Sequence, residues 1–118
     1  MIKFNGYYLE TKGSLFEEGR PGPKWYHFEA YRFFRDGTFL TAISWSRSDN
    51  WDSVECVPSD FKEEYRRPYK YVDGGLVLFY NLGTVWEVKT YLKPTEEGVL
   101  EYENGDKLKF KPWKKGKP

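Results

Sequence analysis

Long apolar runs, cysteine and histidine are all scarce in this 118-residue chain. No stretch approaches the roughly 18 apolar residues that a membrane helix needs, and the opening MIKFNGYYLE lacks the continuous apolar segment of a secretory signal. The expectation is a cytoplasmic protein with no membrane insertion. A single cysteine, Cys56, excludes an intramolecular disulfide framework. A single histidine, His27, excludes the usual Cys/His zinc patterns, so no metal and no cofactor is predicted. Recognised catalytic signatures are missing as well: there is no Gly-rich phosphate loop, Ser/His/Asp constellation or calcium loop. His27 and Cys56 fall in different elements. The pairs Glu17/Glu18, Glu63/Glu64 and Glu96/Glu97 are adjacent in predicted loops, whereas glycoside hydrolysis needs two acids across a cleft. The chain reads as a non-enzyme with no catalytic residue.

What is abundant is aromatic. Five Trp, ten Tyr and nine Phe make up 20% of the residues. Leu, Ile, Val and Phe together number 27, enough to bury a core, and the length suits one domain rather than two. The net charge of +1 conceals an asymmetry. Residues 1–106 carry 13 basic and 18 acidic side chains, while residues 107–118 carry six lysines and no acid. The expected organisation is a single domain over 1–113 with a basic tail over 114–118. Lys107, Lys109 and Lys111 alternate with Leu108 and Phe110, which predicts a last strand with its lysines towards solvent.

Period-two alternation recurs along the chain and predicts strands over 2–9, 25–34, 38–46, 69–73, 76–81, 84–92, 99–103 and 107–112. Ile2, Phe4, Gly6 and Tyr8 share one side of the first; Phe39, Thr41, Ile43 and Trp45 share one side of the third. Arg35-Asp36-Gly37-Thr38, Asp73-Gly74-Gly75 and Glu103-Asn104-Gly105-Asp106 carry the Asp-Gly and Asn-Gly pairs of type I′ hairpin turns. Two connections are long. Residues 10–24 form a Gly/Pro/Glu-rich loop expected to arch over one end of the sheet. Residues 47–68 include a capping-box spacing, Asp60 to Glu63, that predicts one or two helical turns. Eight antiparallel strands joined by hairpins are best accommodated by closure, which removes exposed edges. The predicted fold is an all-β antiparallel up-and-down barrel; an open curved sheet or a sandwich is the alternative.

Phe4-Asn5-Gly6-Tyr7-Tyr8, then Tyr31-Arg32-Phe33-Phe34-Arg35-Asp36-Gly37-Thr38, then Leu100 to Phe110 with its central Asn104-Gly105 together resemble small lipocalin-like (calycin-type) barrels. The resemblance spans most of the chain. It implies a barrel that holds a small ligand.

A small eight-stranded barrel is either filled by its own side chains or holds one ligand. Under the second reading an amphipathic or anionic small molecule sits among Tyr8, Tyr26, Phe28, Arg32, Trp45 and Trp86, by stacking and a few hydrogen bonds. Arg32 shares a face with Tyr26, Phe28, Ala30 and Phe34. The opposite face holds Trp25, His27, Glu29, Tyr31 and Phe33, and alternation alone does not choose the interior. Whichever of Arg32 and Glu29 points inward needs a partner. A different class of function is protein recognition, as an inhibitor, immunity or adaptor protein or a homodimer. There Arg47 and Trp51 of the WSRSDNW segment supply residue types enriched at interface hot spots. Lysines interleaved with Trp113 could bind a phosphate backbone, but the acidic body argues against nucleic acid.

Overall fold

Alternating β-branched and aromatic residues need a pleated surface with apolar cover, and the chain supplies that cover twice. The computed structural model describes residues 2–16 and 24–114. It contains nine strands: β1 (Gly6–Glu10), β2 (Ser14–Phe16), β3 (Trp25–Phe33), β4 (Thr38–Ser46), β5 (Arg67–Val72), β6 (Gly75–Tyr80), β7 (Val88–Glu96), β8 (Val99–Tyr102) and β9 (Lys107–Pro112). All pairings are antiparallel. Strands β3 to β9 run up and down in chain order, and β1 closes the ring by pairing with β9 on one side and β3 on the other. The result is the expected eight-stranded closed barrel, with β2 as an additional strand.

That extra strand occupies part of the segment read from the sequence as a loop. β1 meets β3 at Tyr8↔Tyr31 and Leu9↔Ala30, and β2 meets it at Ser14↔His27, so two extra residues are inserted between the two pairings. β1 and β2 thus act as one strand broken by a bulge, which bends it along the length of β3. Gly13 sits in the break, where a Cβ would lie 2.6 Å from the Phe28 ring, so a larger residue does not fit. Residues 17–23, the rest of the predicted arch, lie outside the described residues, as do residues 115–118 of the predicted basic tail.

Several boundaries differ from the sequence reading. The first strand begins at Gly6, whose missing side chain admits the Lys111 carbonyl and the Phe110 ring; residues 2–5 form no strand, although Ile2 is buried. The strand expected at 84–92 begins at Val88 and runs to Glu96, because a bulge between Pro94 and Glu96 absorbs the proline. At the three predicted type I′ turns only Gly37, Gly74 and Gly105 adopt positive φ, and their Asp or Asn neighbours do not, so type I′ geometry is absent. Asp36 instead accepts hydrogen bonds from the backbone and hydroxyl of Thr38. The expected helical turns are three isolated 3-10 turns, at Trp51–Ser53, Pro58–Asp60 and Glu63–Tyr65. Asp60 caps the second by accepting from the Val57 amide at 2.8 Å. No helix among the described residues is long and apolar enough to cross a membrane.

Two cores result. Inside the barrel, Tyr8, Tyr31, Phe33, Phe39, Tyr69, Leu76, Leu78, Leu92, Leu100 and Leu108 pack with Ile2. Outside it, the crossover over residues 47–66 lies on β1, β3 and β4 and buries Tyr7, Leu9, Phe28, Ala30 and Leu40 against Val54, Cys56 and Phe61. Consecutive tyrosines therefore serve opposite cores. Tyr8 accepts from the Lys3 amide at 2.9 Å, and Tyr7 accepts from the buried Cys56 amide at 3.0 Å, so neither hydroxyl is stranded. Lys111, expected to face solvent, instead lies 4.9 Å from the centre of the Trp51 ring and donates to the carbonyls of Trp51, Asp52 and Val54. It fastens the crossover to β9.

Candidate functional site

The two ends of the barrel are built differently. One end carries the β3–β4, β5–β6 and β7–β8 turns together with Ile2 and Trp113, with a small recess of about 130 Å³ between Ile2, Tyr71, Leu76, Pro94 and Leu100. Phe4 and Phe110 pack there against the inner core, with Arg35 over the Phe4 ring and Lys3 over the Phe110 ring. The other end carries the β6–β7 connection, the β8–β9 turn, the start of β3 and the end of β4.

At this second end the inward face outruns its packing. Side chains two apart on a strand share a face, so Phe39, Thr41, Ile43 and Trp45 form one row on β4, opposite Phe33, Tyr31, Glu29 and His27 on β3. Phe39 and Phe33 are buried, whereas Ile43 is 57% exposed and Trp45 52%. β4 pairs with β5 only at Thr38↔Pro68 and Phe39↔Arg67, which leaves the wall open beyond Leu40. Across the mouth, Leu82, Val85, Trp86 and Val88 are exposed at the β6–β7 connection.

Beneath this rim lies a polar floor. Tyr31 is 3% exposed, and its hydroxyl lies 2.6 Å from that of Tyr102. Burial raises the pKa of both well above the usual tyrosine value and pushes Tyr80 up to about 12; the Glu29 charge adds to the shift of all three. Glu29 therefore stands beside a ring of three phenols. Glu10, the next inward residue after Tyr8, accepts from the Glu29 amide at 2.6 Å, where the β1–β3 ladder ends. Burial raises the Glu10 pKa, as do the charges of Glu29 and Asp106, against the lowering effect of that hydrogen bond. Glu10, Thr90 and Tyr102 also line a side cleft of about 400 Å³ between β7 and the β8–β9 turn. Neither Glu10 nor Glu29 has an ion-pair partner among the described residues. Two cations lie nearby: Arg67 over the Tyr80 ring, and Lys89, which lines the cleft with Glu10 and lies 5.9 Å from the centre of the Phe79 ring. His27 Nδ1 is buried without a hydrogen-bond partner on the same face, one step further out, with its ring 5.5 Å from that of Trp45.

The six ligand-binding residues expected from the sequence do not surround one space. Tyr8 is in the inner core, Trp45 is at the mouth and Trp86 is 76% exposed in the β6–β7 connection. Tyr26 and Phe28 belong to the outer core. Arg32 is also on the outer face, with its guanidinium 4.7 Å from the Phe34 ring centre and 5.3 Å from that of Trp113. Burial lowers its pKa, opposed by the charge of Glu63. Of the two residues considered for protein recognition, Arg47 lies over the Trp25 ring, and Trp51 packs against the outer core under Lys109 and Lys111. Cys56 is buried in that core, with its thiol pushed up to about 11 by burial, and so is not a poised nucleophile. Sequence reasoning missed Glu10, Tyr80 and Tyr102. Their available signal was an acid or phenol at an inward position near a strand end. No protein-family model, curated protein or solved structure matches this chain.

Proposed function

We propose that this is a non-enzymatic, lipocalin-like binding protein that takes a small amphipathic molecule at the end of its barrel that carries the β6–β7 connection. The observation that carries the reading is the continuation of the core-facing rows of β3 and β4 beyond the packed core, as exposed Ile43 and Trp45 above the buried Tyr31 and half-buried Tyr102. Apolar walls with a few convergent polar groups are the usual make-up of a ligand pocket. Of the two chemistries left open by the sequence, the amphipathic one fits better, since the floor holds two carboxylates and the Arg32 invoked for an anion lies on the outer face.

Titration with the neutral fluorophore N-phenyl-1-naphthylamine tests the proposal. Saturable one-site binding is expected, with at least a roughly tenfold loss in Ile43→Asp, which puts a charge into the apolar wall. Ile43 is exposed, so the variant should melt like the parent. Absence of binding, or equal binding by Ile43→Asp, would count against the mouth as the site.

A further inference from the structure

We infer that two copies of this chain associate through β4, each lending the other the strand partner that β5 does not provide beyond Phe39. The inference stands on the backbone of one strand and does not rest on the ligand reading. Its first support is a bare edge in an otherwise paired wall. β4 keeps an unbroken register with β3 from Phe39↔Phe33 to Ser46↔Tyr26, while its pairing with β5 stops at Phe39↔Arg67. Phe34 donates to the Thr38 carbonyl at 2.8 Å, so in this register the even-numbered residues of β4 bond to β3. Successive residues of an antiparallel strand turn their N–H and C=O groups to opposite sides. Those of Thr41 and Ile43 therefore point away from β3, to the side that β5 has left. The crossover does not take its place, since it leaves β4 at Ser46, lies on the outer face and rejoins the wall at Arg67. Neither Thr41 nor Ile43 has a backbone partner on that side among the described residues.

The second support is the lack of protection. Exposed edges are normally guarded by charge, proline or a bulge. Thr38–Ser46 has no charged residue and no proline, and its register with β3 is free of bulges. β6 is uncharged too, but β5 and β7 pair with it on both sides. Ile43, beside the bare groups, is 57% exposed, so a strand laid here covers apolar surface as well as backbone.

The third support is symmetry, which selects a second copy as the occupant. The stretch of β4 beyond its pairing with β5, residues 40–46, is centred on Ile43. Antiparallel pairing of two such stretches about a two-fold axis sets Ile43 against the partner's Ile43, each donating to and accepting from the other. Thr41 then lies opposite the partner's Trp45. Sliding the register by two residues one way runs into Phe39, which Arg67 already pairs, and the other way shortens the overlap. The interface is isologous, and its two isoleucines meet as a β-branched cross-strand pair. A foreign strand would have to be uncharged and of matching length, whereas a second copy supplies such a strand by construction.

Sedimentation velocity of the full chain from about 5 µM to about 500 µM, a range suited to a small interface, tests the inference. The parent should pass from one chain to two as concentration rises. Ile43→Lys and Ile43→Glu each put like charges across the axis, and each should weaken the association at least about tenfold. Mixed in equal amounts they should restore it, because residue 43 of one copy then faces the opposite charge. Both substitutions fall at an exposed position, so each variant should melt like the parent. Thr41→Pro removes an outward donor without taking a bond from β3 and should weaken the association by itself. A parent that stays a single chain over the whole range overturns the inference, as does an association that both charged variants leave intact. Failure of the mixture to restore it overturns the pairing about Ile43, and the inference with it.

Discussion

The two faces of β3 are both apolar, yet they are apolar for different reasons. The odd-numbered face, with Tyr31 and Phe33, packs inside a closed ring of strands, while the even-numbered face, with Phe28 and Ala30, is covered by a crossover that contains only single 3-10 turns. The comparison shows where an aromatic content of 20% goes. Much of it fills two cores back to back, while Trp25, Trp45 and Trp86 present aromatic surface at one end of the barrel and Tyr65, Tyr71 and Tyr91 lie exposed elsewhere.

The sharpest way to break the comparison is to empty each core in turn. Phe28→Ala and Phe33→Ala should each cost about 3–5 kcal/mol in urea unfolding, since both side chains are almost fully buried. A cost below about 1.5 kcal/mol for Phe28→Ala alone would demote the crossover from a second core to a loose cover. A smaller effect is expected at the fastening. Lys111→Met removes the ammonium that serves three carbonyls of the crossover, and about 1–3 kcal/mol should be lost. An unchanged midpoint would mean that water replaces the lysine at no cost. The smallest effect concerns the inner face near the mouth. Glu10 has its folded pKa raised chiefly by burial, so its favourable contribution is present in acid and is lost as pH rises through that folded value. Glu10→Gln should therefore raise the thermal midpoint modestly at pH 7, and the gain should shrink as pH falls through the raised folded value and be gone below about 4.5, the ordinary glutamate value. A gain independent of pH would point to packing rather than charge.

Much of the barrel was legible in the alternation of residues 25–34, 38–46 and 76–81, because a strand with one face inside a barrel must keep period two. The strand at 84–92 was misplaced for a local reason. Trp86 alternates in step with Val88 and looks like a strand residue, but Asn81 adopts φ 54° and the turns closed by Thr84→Asn81 and Glu87→Thr84 hold the segment before Val88 as a loop. The choice of interior face on β3 was not legible at all, since burial on both sides erases the difference that alternation relies on. That ambiguity carried over to the site. Arg32 and Glu29 are equivalent in sequence terms, and only the docking of residues 47–66 onto the Arg32 side makes Glu29 the inward residue. Glu10 and Tyr102 come near it through pairings of β1 with β3 and β9 with β8, contacts between distant parts of the chain that no local pattern announces.

The Trp113 amide donates to the Asn5 carbonyl at 3.2 Å, which brings the two ends of the described chain together at the end of the barrel opposite the β6–β7 connection. A fusion partner, an affinity tag or a sensor surface joined through Ile2 or Trp113 would thus leave from the pole opposite Ile43 and Trp45. Immobilised by either terminus, the molecule presents its mouth to the medium, and a circular permutant could join its old ends there without entering the site.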